Sequence, residues 1–381
     1  MNEVTDREPF VTGSGMPFVP KAWYPDINWD KVPVYMMFGH DERLLTDAEV
    51  RKIAGESDFI CIEKQHGKQT LGGAEKGLAH ETAAFKTVKP GIKVIGYFNA
   101  AYAYPFTTHT WMFTADTIDQ HPDKKAYLMV DPGTGELARR GTTYFFDALN
   151  PEFRAWWSDT VARIVEESGA DGIFIDQMHG FAWLRRDKQD AVDEDVADML
   201  ARLKKKMGPE KMLLANNGAH LEHIFPIADA FMLEHFSPAL TTKEALLEDW
   251  RLLEKISDAG KVSVYRFGAE ADPGSPMEHH DRLDRIKNKV PEWARLSKQQ
   301  LPYYLAVYLI GAQPYSYFQW GWGWGLTTGP LEDYPELHRP LGKPLGAYAR
   351  VHPDKWEFTR EFEHLRVWVD TEKREAKLVW K

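Results

Sequence analysis

The chain has 381 residues and a net charge of −10, which argues against nucleic acid as its main partner, because phosphate binding needs a basic footprint. With 43% hydrophobic and 27% charged residues it has the composition of a soluble globular protein with a large core, and no apolar run nears the ~18 residues of a membrane span. A single cysteine, Cys61, excludes an intrachain disulfide framework and a four-cysteine zinc site.

Residues 1–30 are rich in Pro, Gly and polar residues and read as an arm lying on the surface. The stretch Val32–Phe38 is the first expected strand, and Thr46 and Glu49 then give a capping-box signal for a helix ending near Gly55. A second strand, Asp58–Glu63, leads to a helix from Gly73 to Val88, and Ile92–Phe98 follows as the third strand, ending in Asn99. Repeated strand-then-helix units predict a parallel sheet. Residues 100–144 break the rhythm with several aromatic residues and turn signals, and are expected to form a long loop walling a cleft.

Asn150 and Pro151 mark the start of a helix whose face carries Phe153, Trp157, Val161 and Ile164. Next comes Asp171–Asp176, a short apolar strand ending in a carboxylate, then Gln177 and His179. Strands five to eight are expected at Met212–Ala215, Ala228–His235, Lys261–Tyr265 and Pro314–Phe318, with helices at Val192–Met207, Lys243–Ala259 and Leu301–Gly311 between them. Eight such units predict a (β/α)8 TIM barrel over residues 31–340. Residues 341–381 read as a small β-hairpin appendage packed on the barrel.

Chemistry collects at the C-terminal ends of barrel strands. Strand alternation turns Asp176 and Glu234 inward from the fourth and sixth strand ends. Two carboxylates facing one cavity suit glycosidic hydrolysis, which needs a proton donor for the leaving oxygen and an anion or activated water for the anomeric carbon. Glu63 is a third acid, either catalytic or substrate-orienting. Further strand-end candidates for substrate binding are His40, Lys64, His66, Asn99, Tyr102, Gln177, His179, Asn217, His235, Arg266, Gln319, Trp320 and Trp322, with Gln65 and Asn216 beside them. Within that group His66, His179 and Arg266 suit anionic substituents such as sulfates. Trp320, Trp322 and Trp324 form either a sugar-stacking wall or a packed cap.

Other chemistries lack a pattern. There is no HExxH helix, and the run Glu278, His279, His280, Asp281 has the wrong spacing for a hydrolytic zinc site. No Walker-type loop or Gly-x-Ser-x-Gly elbow is present. No metal or other cofactor is expected. The partner is a polysaccharide or oligosaccharide substrate, and the oligomeric state stays open.

Three stretches carry a resemblance: Phe146–Arg154, Asp171–Asp176, and Leu341–Leu345 with Arg360–Phe362. They resemble bacterial barrel glycoside hydrolases, and the paired Asp176 and Glu234 are most similar to the endo-1,3-fucanase family, glycoside hydrolase family 168. The resemblance implies a retaining endo-hydrolase of sulfated α-L-fucan, with Asp176 as nucleophile and Glu234 as general acid/base. Such an enzyme is expected to be secreted or periplasmic, although residues 1–7 carry no apolar signal segment, and a cytoplasmic location stays open. Two other readings remain: a carbohydrate-binding barrel without chemistry, and a polysaccharide lyase using Tyr102 or His179 as base beside Arg266.

Overall fold

The computed structural model describes residues 10–179, 185, 188–235, 241–272, 275–276 and 290–381. Gly180, the turn at Arg186 and Asp187, the Pro273–Gly274 loop and the Glu278–Asp281 run lie outside the described residues, as do residues 1–9.

Eight parallel strands neighbour one another in chain order: β1 (Tyr35–Phe38), β2 (Phe59–Ile62), β3 (Lys93–Asn99), β4 (Gly172–Asp176), β5 (Met212–Asn216), β6 (Ala230–His235), β7 (Val262–Gly268) and β8 (Ser316–Gly321). The sheet closes where Val34 pairs in parallel with Phe318, whose N–H donates to the Pro33 carbonyl at 2.8 Å. Six long helices lie among the described residues: α1 (Asp47–Glu56), α2 (Ala74–Val88), α3 (Pro151–Ser168), α4 (Gln189–Met207), α5 (Lys243–Asp258) and α6 (Val290–Gly311). This is the expected TIM barrel, with turns in place of a helix between β5 and β6.

The helix boundaries follow their sequence signals. Thr46 and Glu49 form the reciprocal capping box of α1, and the Asn150 side chain accepts from the Glu152 and Phe153 N–H groups at the start of α3. Helix α6 begins at Val290, well before the expected Leu301, and contains Pro302. A proline one residue past the expected start imitates a first-turn signal.

Alternation sorts the strands into two cores. Outward residues such as Phe38, Ile62, Phe98, Ile173, Leu213 and Phe231 pack beneath the helices, while Tyr35, Phe59, Ile95, Phe174, Leu214, Met232, Val264 and Tyr317 fill the barrel. The inward row above that filling changes character: it reads Glu63, Asn99, Asp176, Asn216, Glu234, Arg266 and Gln319. In β1 the same row reaches Gly39, where a Cβ would come within 3.0 Å of the Glu63 Cβ. Glycine there makes room for the carboxylate.

Two expectations change. From Phe10 onward the N-terminal arm is not a surface strap: Phe18, Tyr24 and Ile27 are buried with the barrel filling, and Tyr317 donates to the Pro25 carbonyl at 3.1 Å. Its prolines and glycines mask a few large apolar anchors that plug the lower end of the barrel. The C-terminal appendage is a four-stranded antiparallel sheet rather than a lone hairpin: β9 (Ala349–Arg350), β10 (Glu357–Glu361), β11 (Leu365–Asp370) and β12 (Glu375–Trp380). It packs on α6.

The 100–144 connection, expected to be loop, contains a 3-10 turn (Ile118–Gln120), a short helix (Pro122–Lys125) and a strand pair (Arg139–Arg140 with Thr143–Tyr144). Phe106, Phe113, Ile118, Leu128 and Met129 bury themselves beneath it. No helix among the described residues is long and apolar enough to cross a membrane.

Candidate active site

The mouth of the barrel holds the upper polar row, and its hydrogen bonds centre on one amide. Asn216, ending β5, donates from Nδ2 to Asp176 Oδ1 at 3.0 Å and to Glu234 Oε2 at 2.6 Å. The two carboxylate oxygens are therefore no further apart than those two bonds laid end to end.

The two acids are held differently. Asp176 accepts from the Tyr97 hydroxyl on Oδ2 at 2.8 Å, and from the Gln177 N–H on Oδ1 at 2.8 Å in addition to Asn216. Tyr97 is fixed by Asn99, whose Nδ2 donates to its oxygen at 2.9 Å. Burial raises the Tyr97 pKa well above its ordinary value, with the Asp176 charge adding to the shift, so Tyr97 remains a donor. Glu234 has only Asn216 as a side-chain donor among the described residues. Burial raises its pKa; Arg266 opposes the rise, Asp176 adds to it, and Asn216 and Lys64 oppose it. Donors thus crowd Asp176, while Glu234 is left chiefly to its burial.

The backbone is unusual at both strand ends. Gln177 and Asn217 adopt left-handed φ values of 57° and 48°, a conformation that costs a non-glycine residue of order 1 kcal/mol or more and collects at functional sites. In return the Gln177 N–H caps Asp176, and the Asn217 side chain accepts from the Glu234 N–H at 2.9 Å.

Glu63 faces the mouth and is paired with Lys64, whose ammonium lies 5.5 Å from the Tyr97 ring centroid. Arg266 is buried beside Glu234, stacked 4.2 Å from the Trp324 ring centroid. Burial lowers its pKa to about 10 while Glu234 pulls it up, leaving the guanidinium protonated near neutrality. Gln319 neighbours Arg266 on β8.

Several expected substrate contacts are turned elsewhere. His66 is fully buried: Nδ1 accepts from the His40 N–H at 3.0 Å and Nε2 contacts Glu81 Oε1 at 2.8 Å, so both ring nitrogens tie the β2 connection to its surroundings. His235 follows inward Glu234 and so points outward, reaching Asp249 on α5 at 2.6 Å. Trp320 and Trp322 share the outward face; Trp320 packs 5.0 Å from Tyr304, and Trp322 is fully buried in the outer core. Of the two alternatives for these residues, Trp320 and Trp322 take the packed cap, whereas Trp324, half-buried, backs Arg266.

Asn99 and Asn217 spend their side-chain oxygens on backbone N–H groups and act as internal braces. His40 is half-buried over the β1 end, where burial lowers its pKa. Tyr102 stacks on Tyr104 and lies 3.5 Å from Arg140 through its hydroxyl, and His179 is exposed and interacts electrostatically with His220. Among the described residues neither side chain hydrogen-bonds to either acid; Tyr102 joins their network only through its backbone N–H, which donates to Asn99 Oδ1 at 2.7 Å. Tyr97 escaped the sequence reading because it lies in the middle of an apolar strand. Its alternation with Ile95 and Asn99 was the available signal.

The model of the family described as hypothetical glycosyl hydrolase family 15 matches residues 86–366. No curated protein matches the chain. Among solved structures, the maltogenic α-amylase AmyB from Thermotoga neapolitana is similar at a TM-score of 0.50 and 11% identity, over 90% of this chain and 86% of that one. The glycoside hydrolase domain of PelA from Pseudomonas aeruginosa aligns at 0.45 and 16% identity, over 69% and 91% of the two chains. The α-galactosidase TtGalA from Thermus thermophilus aligns at 0.47 and 15% identity, over 92% and 68%. Likeness at such identities is one of fold.

Proposed function

Because this chain belongs to hypothetical glycosyl hydrolase family 15, we propose that it is a retaining glycoside hydrolase in which Asp176 is the nucleophile and Glu234 the general acid/base. The observation that carries this reading is the Asn216 amide shared by both carboxylates at 3.0 and 2.6 Å. A separation bounded by two hydrogen bonds laid end to end fits direct attack on the anomeric carbon, whereas an inverting enzyme keeps its carboxyls ~6.5–9.5 Å apart to admit a water.

In the first step Asp176 bonds to the anomeric carbon while the glycosidic C–O bond breaks and the Glu234 proton passes to the leaving oxygen. In the second, Glu234 takes a proton from water, whose oxygen displaces Asp176 from the anomeric carbon. Tyr97 and Asn216 hold the nucleophile in place through both steps. The raised pKa of Glu234 suits its initial protonated role.

The finer reading follows the fucanase resemblance: endo-cleavage of a sulfated α-1,3-L-fucan by an enzyme acting outside the cytoplasm. The test is reducing-end release from a polysaccharide panel that includes sulfated fucans, with the anomeric configuration of the first product read by NMR. Retention is expected, and Asp176→Ala and Glu234→Ala should each abolish turnover with folding intact. Near-normal activity in either variant removes that residue from the mechanism. Undiminished polysaccharide binding without new reducing ends would favour a binding protein, and an ultraviolet-absorbing unsaturated product would favour a lyase.

A further inference from the structure

The polar row of the barrel mouth holds a cation that the two-carboxylate chemistry does not use. Arg266 is 1% exposed, and among the described residues none of its three guanidinium nitrogens has a hydrogen-bond partner. The contrast with Arg360 is instructive. That arginine, 5% exposed beneath the C-terminal sheet, donates from Nη1 to the carbonyls of Leu309, Ile310 and Ala312 and from Nε to that of Gly346. Where this fold buries a guanidinium for structure, it satisfies it. A buried cation left unpaired costs several kcal/mol, so the state of Arg266 asks for a different explanation.

Glu234 is its through-space partner and its register neighbour on β6, but no hydrogen bond joins the two, so the donor fork is not closed on that carboxylate. The register neighbour on the other side, Gln319, also presents a buried unpartnered atom, its Oε1. Trp324 covers the guanidinium at 4.2 Å, which fixes its plane and keeps water from one side. A planar fork of five N–H donors, rigidly backed and dehydrated, is suited to bidentate recognition of an oxyanion.

We infer that Arg266, backed by Trp324, forms a subsite for an anionic substituent, a sulfate ester or a carboxylate, on the sugar unit held at the catalytic carboxylates. The inference rests on the reading of this mouth as a substrate site. It places charge recognition beside the scissile bond, since Arg266 and Glu234 occupy adjacent positions of one row. The competing role for Arg266 is electrostatic support of Glu234 alone.

The test separates the two and does not depend on turnover. The full chain is titrated with sodium sulfate and with sodium acetate at ionic strength held constant with sodium chloride, and melting temperature and binding heat are followed. The wild type should show a saturable response, and Asp176→Ala should keep it while losing turnover. Arg266→Gln should abolish the response, and Arg266→Lys, which retains the charge but not the fork, should weaken it at least tenfold. If the glutamine variant does not fold, the lysine variant decides. A response to sulfate alone assigns a sulfate ester; one to acetate alone assigns a carboxylate. An unchanged response in the Arg266 variants, or none in the wild type, overturns the subsite. Equal cleavage of neutral and anionic glycans overturns it too while leaving the hydrolase reading intact. Saturable anion binding by a chain that cleaves no glycan does the reverse.

Discussion

Under the proposed mechanism Asp176 and Glu234 take different roles because they differ in neighbours. Four donors converge on Asp176, from Tyr97, Gln177, Asn216 and, at 3.5 Å, Asn99, whereas Glu234 accepts from Asn216 and is otherwise left to burial and to the opposing fields of Arg266 and Asp176. A raised folded-state pKa means that the stability Glu234 contributes is complete below the unfolded glutamate value of ~4.3 and is lost as pH rises through the folded value. Glu234→Gln should therefore melt higher than wild type at pH 8 and no differently near pH 4; a constant offset across that range would refute the linkage. Lys64 lowers the same pKa, so Lys64→Met should carry the alkaline limb of kcat/KM to higher pH, as a pH–rate profile will read. At this scale the sequence was informative about where the two acids lie, since both close apolar strands, and misleading about the direction of His235, Trp320 and Trp322. Each of those three lies an odd number of positions from an inward residue, and one step of alternation reverses the face. His66 misled for another reason: a polar residue after a strand looks the same whether it meets solvent or, as here, a buried Glu81.

At the scale of elements, the mouth depends on how closely α2 approaches the β2 connection. A Cβ at Gly77 would lie 2.1 Å from the His66 carbonyl oxygen. Helix propensity alone predicts that Gly77→Ala gains about 1 kcal/mol; the contact predicts a loss of about 1–3 kcal/mol, and urea denaturation should show the loss. The strands themselves were legible as short apolar runs with polar ends, and the caps of α1 and α3 were legible as Thr46 with Glu49 and Asn150 with Pro151. The close contact at Gly77 was not, because it pairs residues whose meeting is decided by packing of the layers. The same holds for the 100–144 connection, whose buried Phe113, Leu128 and Met129 are scattered without a period.

For the whole molecule, the C-terminal sheet is tied to the active-site side of the barrel by Arg374. This residue sits in a left-handed turn (φ 58°) between β11 and β12 and pairs with Glu270, two residues past the end of β7, and with Tyr304 on α6. Glu270 is buried while Arg374 is partly exposed. Arg374→Ala should cost about 2 kcal/mol, less than the ~3–5 kcal/mol of a fully buried pair, and denaturant titration measures it. A neutral effect would mean that Glu270 is held by its other contacts. The barrel was readable from eight strand-and-helix repeats, but this tie was not, since it joins residues 104 positions apart in sequence.

The N-terminal plug gives the molecule one open end. Phe18, Tyr24 and Ile27 stop the lumen from below, and layers of side chains such as Phe59, Phe174 and Met232 fill it above them. Among the described residues the filled lumen offers a polymer brought to Asp176 and Glu234 no passage down the barrel axis. Under the proposed chemistry both fragments of a cut chain must depart across the mouth by which the chain arrived, and never through the barrel.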